Sequence, residues 1–385
     1  MPDADAREPA LALRGISKVY PGPTQALAAL DLDLFAGEIV ALCGENGAGK
    51  STLATIAAGV RAPSSGSVHA VGTVGLVHQH LELVERLRVW ENVVLGREPR
   101  CGALLDRAAA RARCRSLSER FGLEIDPEAI VEALPVAIAQ RVELLRELGR
   151  EPRVLVLDEP TAVLSPPEIE ALFATLRTLA NGGTAILVIT HKLGEVVEHA
   201  DRATVLRAGH VVARFERSEL SPGAIARAMV GGELPPLATR AATEPAPGLE
   251  IAGLRTRGVR ALVGLDLSVR AGEILAIAGV EGNGQSALVD AIAGMLPYAG
   301  TMQLGGRLLA PGDPAARIAA GIRTIPQDRL REGLVLPWSL AENAALGDHA
   351  RAPLARRGLV VRSALAARAS ALVARFDVRA ASIAL

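Results

Sequence analysis

The feature that most constrains this chain is a glycine-rich loop placed between an apolar run and an apolar helix. The apolar run is 39–43, and residues 44–52 follow with the sequence Gly-Glu-Asn-Gly-Ala-Gly-Lys-Ser-Thr. Glycines let successive backbone N–H groups face an anion, and the helix that begins there adds its positive dipole end. The strand and helix on either side argue against the alternative, a glycine-rich turn that matches by chance. The loop therefore predicts nucleotide binding.

Two side chains of this loop carry specific chemistry. Lys50 is placed to reach the β- and γ-phosphates as a point charge, and the Ser51 hydroxyl is placed to ligate Mg²⁺. The predicted nucleotide-binding residues of the loop are Gly44, Glu45, Asn46, Gly47, Ala48, Gly49, Lys50, Ser51 and Thr52.

The amino-acid composition limits the classes of protein to which this chain can belong. The 385 residues are half hydrophobic, which favours two or three folded domains over a disordered chain. The 42 basic and 42 acidic residues cancel, so a broad nucleic-acid surface is not expected. The three cysteines lack metal-type spacing and fit a reducing, cytoplasmic compartment. We expect no signal peptide and no membrane span, since no apolar run reaches ~18 residues.

A second apolar run ends in two carboxylates. Residues 154–157 are Val-Leu-Val-Leu, and Asp158 and Glu159 follow directly. Acids at a strand tip beside a phosphate loop hold Mg²⁺ and position water, so Asp158 is predicted as a metal ligand and Glu159 as the general base. Two solvated acids at a strand end are the alternative.

Three further residues stay open at this stage. Tyr20 either stacks on a nucleobase or packs a turn. His191 follows the apolar run 185–189 and either contacts the γ-phosphate or is structural. Gln79 lies between His78 and His80. Two histidines at this spacing suggest metal ligands, but no third ligand lies nearby in the sequence.

The remaining patterns predict the architecture. Alternating runs in 11–42 predict antiparallel strands, and strand-helix-strand alternation afterwards predicts a mostly parallel sheet flanked by helices. Residues 102–121 predict a surface helix whose apolar face is Leu104, Leu105, Leu117 and Phe121.

The chain also repeats itself. Residues 279–286 match the phosphate loop at a separation of 235 residues, and 272–274 match 37–39 at the same separation. The second loop has Gln285 where the first has Lys50, and 256–258 has no aromatic counterpart to Tyr20. We predict a first unit at 9–235, a linker at 236–248 and a second unit at 249–385.

These motifs, in their order, resemble the ATP-binding cassette of ABC transporters. Tyr20 resembles its adenine-stacking loop, 44–52 its Walker A loop, Gln79 its Q-loop, 134–143 its signature helix, 158–161 its Walker B segment and His191 its switch histidine. The resemblance implies an α/β P-loop NTPase fold of ABC type with two tandem cassettes, and an ATP hydrolase that uses ATP and Mg²⁺. It implies that Gln79 senses Mg²⁺ and the membrane partner, so that Mg²⁺ is held by Ser51, Gln79 and Asp158. It also implies that catalysis uses Lys50, Gln79, Glu159 and His191.

Tandem cassettes with Gly-Val-Glu-Gly-Asn-Gly-Gln at 279–285 resemble importers of simple sugars and nucleosides, with the nucleoside branch favoured. Segments 161–166, 325–329 and 332–334 resemble the same group. The implied partners are transmembrane permease subunits and, through them, an extracytoplasmic substrate-binding protein, with no nucleic acid. The implied location is peripheral, on the cytoplasmic face of the membrane.

The sequence departs from the family pattern in two ways. The signature is Leu-Pro-Val-Ala-Ile at 134–138 instead of Leu-Ser-Gly-Gly-Gln, so Pro135 removes a hydroxyl and a backbone donor. The second unit is expected to be incomplete after 376–379, before its own signature and Walker B segment. In ABC dimers each ATP lies between the Walker motifs of one cassette and the signature of the other. The resemblance thus pairs the altered 135–138 with Gln285, a retired site, and the chain alone should hydrolyse ATP only at a background rate.

Two other functions stay open. A soluble ABC-type ATPase acting on nucleic acid or ribosomes would be expected to have two intact Walker A loops, which Gln285 argues against. A nucleotide-binding fragment without turnover is the third possibility, and turnover otherwise needs a second cassette or a second copy to complete the ATP site.

Overall fold

The computed structural model describes residues 8–21, 24–79, 81–162, 164–232, 246, 248–258, 261–279, 283–326 and 332–378. It divides into two compact units, Met1–Leu237 and Ala238–Leu385. The proposed linker lies almost wholly outside the described residues.

The first unit has eleven strands within its described ranges. They are β1 (Leu11–Tyr20), β2 (Thr24–Leu34), β3 (Ile39–Gly44), β4 (Ser65–Ala70), β5 (Val74–Val77), β6 (Arg100–Cys101), β7 (Leu104–Leu105), β8 (Val154–Asp158), β9 (Ala185–Ile189), β10 (Arg202–Arg207) and β11 (His210–Glu216). Its helices are α1 (Lys50–Ala57), α2 (Val89–Val94), α3 (Arg107–Phe121), α4 (Val136–Leu148), α5 (Pro166–Asn181), α6 (Leu193–His199) and α7 (Pro222–Val230), with 3₁₀ turns at Val131–Ala133 and Arg217–Glu219.

A six-stranded sheet organises this unit in the order β11-β10-β3-β9-β8-β5. Its strands are parallel except β11, which pairs antiparallel with β10. Strands β3, β8 and β9 are buried along their whole length because apolar clusters cover both faces of the sheet. This confirms the predicted parallel sheet, and it brings the carboxyl ends of β3, β5, β8 and β9 to one edge.

A smaller antiparallel sheet, β2-β1-β4, precedes it in the chain. Leu30, Leu32 and Leu34 of β2 are buried, whereas Asp31 and Asp33 between them are exposed or nearly so. Strand alternation places the leucines on one face and the aspartates on the other, as the sequence predicts.

The predicted helix over 102–121 is wrong at its start. The helix begins at Arg107, where the Asp106 side chain accepts a hydrogen bond from the Ala109 N–H at 2.9 Å. Leu104 and Leu105 lie before this cap in the hairpin β6–β7, and Leu104 is 76% exposed. The buried face of α3 is formed by Ala110, Cys114 and the predicted Leu117, and the predicted Phe121 packs partly buried against the same core.

The second unit contains a four-stranded sheet in the order β13-β12-β14-β15 and a separate hairpin of β16 with β17. Its strands are β12 (Leu249–Arg255), β13 (Val263–Val269), β14 (Ala299–Leu304), β15 (Arg307–Leu308), β16 (Ala355–Arg356) and β17 (Leu359–Val360). Its helices are α8 (Gln285–Ala293), α9 (Pro314–Ala319), α10 (Leu340–Asn343) and α11 (Arg362–Phe376).

The internal repeat extends beyond the phosphate loop. Asn92 donates to the carbonyl of Val84 and accepts from its N–H, and Asn343 does the same with Val335, 251 residues later in both cases. A two-strand hairpin followed by a 15-residue helix occurs twice. Hairpin β6–β7 precedes the helix Arg107–Phe121, and a second hairpin precedes the helix Arg362–Phe376. These local structures thus occur in the same order in both units.

One part of the repeat does not take the expected structure. Residues 274–279 match β3 in sequence but form no strand, and Ile274 is 82% exposed. In the first unit β3 pairs with β9 and β10, whereas 274–279 pair with no strand among the described residues of the second unit. An apolar segment needs neighbours on both edges to become a buried parallel strand.

None of the helices in the described ranges is long and apolar enough to cross a bilayer.

Candidate active site

The phosphate loop connects β3 to α1, and its conformation requires glycine at the helix cap. Gly49 has φ +104, and a Cβ atom there would lie 2.4 Å from the Ala26 carbonyl oxygen and 2.7 Å from Leu27 Cδ2. Gly47 also has a positive φ, +81, but an added Cβ would have no atom within 4 Å. The loop is therefore packed closely against β2 on one side and open on the other.

Lys50, the first residue of α1, closes over this loop. Its Nζ donates to the carbonyl oxygens of Gly44 at 2.8 Å and Glu45 at 3.0 Å. Burial lowers the pKa of Lys50, while the nearby Glu159 and Asp158 carboxylates oppose that shift. The ammonium group is thus held in the loop by carbonyl oxygens, and it has no ion pair with any residue that the structure describes, which leaves its charge available to an anion.

Asp158 ends β8 beside the start of α1. Its carboxyl group is buried, and Oδ1 has no hydrogen-bond partner among the described residues. Burial raises the pKa of Asp158, whereas the Ser51 side chain and Lys50 oppose the rise. A buried, unpaired carboxylate oxygen facing a serine hydroxyl is a donor set of hard oxygens, which suits Mg²⁺.

Glu159 is held between two of the predicted residues. Gln79 Nε2 donates to Glu159 Oε2 at 3.2 Å, and His191 Nδ1 lies 3.1 Å from Glu159 Oε1. Glu159 has φ +50, an uncommon value for a side chain of this size, and its N–H donates to the Ile189 carbonyl at 2.9 Å. The structure therefore brings Gln79, Glu159 and His191 together from three strand ends.

A network that the sequence analysis missed supports these strand ends. Thr161 Oγ1 donates to Glu195 Oε2 at 2.8 Å, and Lys192 Nζ donates to the Thr161 carbonyl at 2.7 Å. Lys192 also pairs with Glu195 at 3.3 Å. These contacts tie the segment after β8 to the segment after β9, and only the tertiary structure reveals them.

Tyr20 lies at the end of β1, close to α1, the helix that follows the phosphate loop. Its hydroxyl is 3.3 Å from Thr52 Oγ1, and the Arg61 guanidinium donates to that hydroxyl. The Arg61 carbon Cζ lies 5.1 Å from the centre of the Tyr20 ring. The ring is half-buried and held in place, and Arg61 is a second group at this position that sequence reasoning missed.

The altered signature segment does not join this cluster. Helix α4 begins at Val136, and Pro135 precedes it with no side-chain cap. Within the described part of the chain, residues 134–138 make no hydrogen bond to the phosphate loop. The Gln140 side chain does donate to the Pro160 carbonyl, which links α4 to the segment after β8.

The second loop keeps part of the geometry of the first. Gly284 caps α8 with φ +98, as Gly49 caps α1. A Cβ added at Gly279 would lie 2.4 Å from Gln285 Nε2, so the amide lies over the residue equivalent to Gly44. Thr256, at the position of the missing aromatic, accepts a hydrogen bond from the Leu262 N–H at 2.8 Å. Residues 280–282 and 327–331 lie outside the described residues.

The paired-histidine alternative at 78–80 gains no support. His80 lies outside the described residues, and His78 Nε2 faces Glu82 Oε2 at 3.4 Å. In the described ranges the one trio with three ligand-type atoms within 4.8 Å is Glu170, Glu198 and His199, which does not include His78.

Comparison with known families identifies the type of protein. The family model described as ABC transporter matches residues 27–162 and 262–380. The nucleoside import ATP-binding protein NupA of Lactococcus lactis is 39% identical over 91% of this chain and 73% of its own length. The ribose import ATP-binding protein RbsA 1 of Rubrobacter xylanophilus is 40% identical over 97% of this chain and 77% of its own length. The guanosine import ATP-binding protein NupO of Bacillus subtilis is 37% identical over 94% of this chain and 75% of its own length.

Solved structures give the same fold. The ABC transporter component cbiO1 from Clostridium perfringens is 26% identical with a TM-score of 0.50, over 60% of this chain and 97% of that one. The ATP-binding cassette MJ1267 has a TM-score of 0.51 at 22% identity, over 57% of this chain and 98% of that one, and it supports the fold alone.

Proposed function

The chain belongs to the ABC transporter family of ATP-binding proteins, and we propose that it energises the import of nucleosides or simple sugars. The observation that carries the proposal is the cluster of Gln79, Glu159 and His191 beside Asp158 and the phosphate loop. Gln79, Glu159 and His191 follow three different strands, and their meeting beside Asp158 and the phosphate loop supports a site in which Glu159 would act as base and Asp158 would bind the metal.

The roles of the residues follow from their contacts. Lys50 and the backbone N–H groups of 44–52 would bind the phosphates, and Tyr20 would stack against the nucleobase. Ser51, Asp158 and Gln79 would hold Mg²⁺, which when bound neutralises charge that develops on the β- and γ-phosphates. Glu159 would accept a proton from the attacking water, and His191 would hold Glu159 in place and contact the γ-phosphate.

We propose that the two cassettes are not equivalent. Gln285 lacks the charge of Lys50, and an amide cannot replace an ammonium at a phosphate. The signature segment of the first cassette also lacks a serine hydroxyl and a backbone N–H at Pro135, and Ala137 adds a methyl group where a glycine would let the backbone approach. Turnover would therefore depend on the site built around Lys50.

The proposed partners are transmembrane permease subunits, and through them an extracytoplasmic substrate-binding protein. Membership of the family and the import functions printed for the similar proteins support this. The chain would then lie against the cytoplasmic face of a membrane without crossing it.

Affinity purification from membranes tests the proposal. We expect a polytopic membrane protein to co-purify with the chain, and ATP hydrolysis by the complex to rise when nucleoside or ribose with its binding protein is added. Co-purification with ribosomes or nucleic acid instead of a membrane protein would overturn it.

A further inference from the structure

Helix α4 holds the loop after β5 through both backbone groups of one residue. The N–H of Glu82 donates to Glu143 Oε1 at 3.3 Å, and the Arg146 guanidinium donates to the carbonyl oxygen of Glu82. Glu143 and Arg146 lie one turn apart on α4, so they face the same side of the helix. We call this pair the loop clamp.

Glu143 is an unusual residue to find in this position. It is 0% exposed, and its Oε2 has no hydrogen-bond partner among the described residues. Burial raises its pKa, while hydrogen bonds from the backbone of Glu82 and His78 oppose the rise. A buried acid costs free energy that an apolar residue would avoid. What Glu143 contributes in return is its contact with the loop, which an apolar side chain could not make.

A neighbouring acid shows that burial on α4 does not by itself produce this contact. Glu147 is also buried, but it pairs with Arg146 at 3.2 Å and Arg150 at 3.1 Å. Both of these partners lie on or directly after the same helix. Glu143 also pairs with Arg146, at 3.4 Å, but it accepts a hydrogen bond from the loop as well, whereas the ion pairs of Glu147 are with residues on or just after its own helix.

The far end of the loop is fixed as well. Asn92 of α2, 0% exposed, accepts from the Val84 N–H at 2.8 Å and donates to the Val84 carbonyl at 3.1 Å. Glu82 and Val84 are thus each held by a helix, Glu82 by α4 and Val84 by α2. Gln79, three residues before Glu82, reaches Glu159 Oε2 at 3.2 Å from this fixed loop.

We infer that Glu143 and Arg146 are positioning residues for the active site. The loop clamp holds Gln79 against Glu159, and it fixes the loop after β5 to the helix that carries 135–138. This inference rests on the proposed function, in which Gln79 is a metal ligand.

A double-mutant cycle on metal affinity tests it. Mn²⁺ replaces Mg²⁺ as the probe, and its binding to the full chain in the presence of ATP is measured by electron paramagnetic resonance. Removing a residue that orients a metal ligand typically lowers metal affinity 10- to 100-fold. We expect Glu143→Leu and Gln79→Ala each to weaken Mn²⁺ binding by about tenfold, and the double variant to be no weaker than Gln79→Ala.

The conservative variant separates positioning from folding. Glu143→Gln keeps the acceptor for the Glu82 N–H and should bind Mn²⁺ within about twofold of wild type. Glu147→Gln is the matched control on the same helix and should also leave Mn²⁺ affinity unchanged. If Glu143→Leu fails to fold, Arg146→Met removes the other half of the loop clamp and should show the same non-additivity with Gln79→Ala.

The outcomes separate this inference from the function beneath it. Wild-type affinity in Glu143→Leu, or losses that multiply to about 100-fold in the double variant, would overturn the loop clamp. A wild-type chain that shows no ATP-dependent Mn²⁺ binding would overturn the proposed function instead. Amide hydrogen exchange at 78–84 in the nucleotide-free chain gives a readout independent of the metal, and it should rise in Glu143→Leu but not in Glu143→Gln.

Discussion

His191 Nδ1 lies 3.1 Å from Glu159 Oε1, although the two residues are 32 positions apart in the sequence. Strands β8 and β9 run parallel and pair from Val154 with Ala185 to Asp158 with Ile189, so the residues that follow them emerge side by side. The positive φ of Glu159 then turns its side chain toward the histidine and Gln79. Strain of this kind, of order 1–3 kcal/mol, persists where the surrounding structure over-determines it.

We expect Glu159→Gln to keep Mg·ATP binding and to lose hydrolysis by about 10²- to 10⁴-fold, because an amide cannot accept a proton from water. The measurement is phosphate release by the chain assembled with its permease partner. Glu170→Gln, which changes an exposed acid on α5, is the matched control and should hydrolyse ATP normally. Equal turnover in Glu159→Gln and wild type would remove Glu159 as the base.

Asp158→Asn should have opposite effects on stability and on metal binding. Burial raises the pKa of Asp158, so the folded chain without ligand is penalised for its ionised form, and this penalty grows as the pH rises through the raised pKa. The amide removes the penalty and should raise the Tm at pH 7, with a smaller gain at acidic pH. It should also weaken the Mg²⁺ dependence of ATP binding. A Tm that falls at pH 7 would contradict this account of the carboxylate.

Two glycines of the phosphate loop should differ sharply when each is changed to alanine. Gly49→Ala places a Cβ 2.4 Å from the Ala26 carbonyl oxygen at φ +104, whereas Gly47→Ala meets no atom within 4 Å. Both variants pay backbone strain of order 1 kcal/mol, but only Gly49→Ala must also displace β2. Chemical denaturation without nucleotide measures the difference. Equal losses of unfolding free energy would mean that the loop is not packed against β2 as described.

The start of α5 provides a pH-dependent test of stability. Ser165 donates to Glu168 Oε2 through its hydroxyl at 2.7 Å and through its N–H at 2.9 Å. The hydrogen bond from Ser165 lowers the pKa of Glu168, so this contact stabilises the fold above the unfolded pKa and is lost as the pH falls through the lowered value. Ser165→Ala should cost about 1 kcal/mol at pH 7, and less at acidic pH.

A second cap gives the control for that prediction. Ser221 accepts from the Ala224 N–H at the start of α7, with no carboxylate involved. Ser221→Ala should lower the free energy of unfolding by a similar amount at both pH values. A loss in Ser165→Ala that stays constant as the pH falls would show that Glu168 does not carry the effect.

Local patterns predicted the parts of the fold whose determinants are close in sequence. The apolar runs before the phosphate loop and before Asp158 became buried strands, since four or five consecutive apolar residues suit a strand covered on both faces. The start of α3 was misplaced because Leu104 and Leu105 suit either a helix face or a hairpin. The cap at Asp106 decides between them.

Contacts between distant segments could not be predicted in this way. Lys192, Glu195 and Glu143 act on residues 31 to 61 positions away, and nothing in their local sequence indicates those partners. The exposed segment 274–279 makes the same point from the opposite direction: its sequence resembles β3, but it pairs with no strand among the described residues, whereas β3 pairs with β9 and β10. The roles of the site residues stay predictions that the variants above test.

Equilibrium titration of the full chain with Mg·ATP tests the central claim most directly, with Lys50→Ala and Gln285→Ala compared side by side. The two changes remove equivalent side chains of the repeat, and only the first removes a cation that lies over the phosphate loop. Hydrogen bonds to charged groups contribute ~1.5–3 kcal/mol, so Lys50→Ala should weaken binding by about 10- to 100-fold, and Gln285→Ala should bind like wild type. Wild-type affinity in Lys50→Ala, or a large loss confined to Gln285→Ala, would contradict the assignment of nucleotide binding to the first unit.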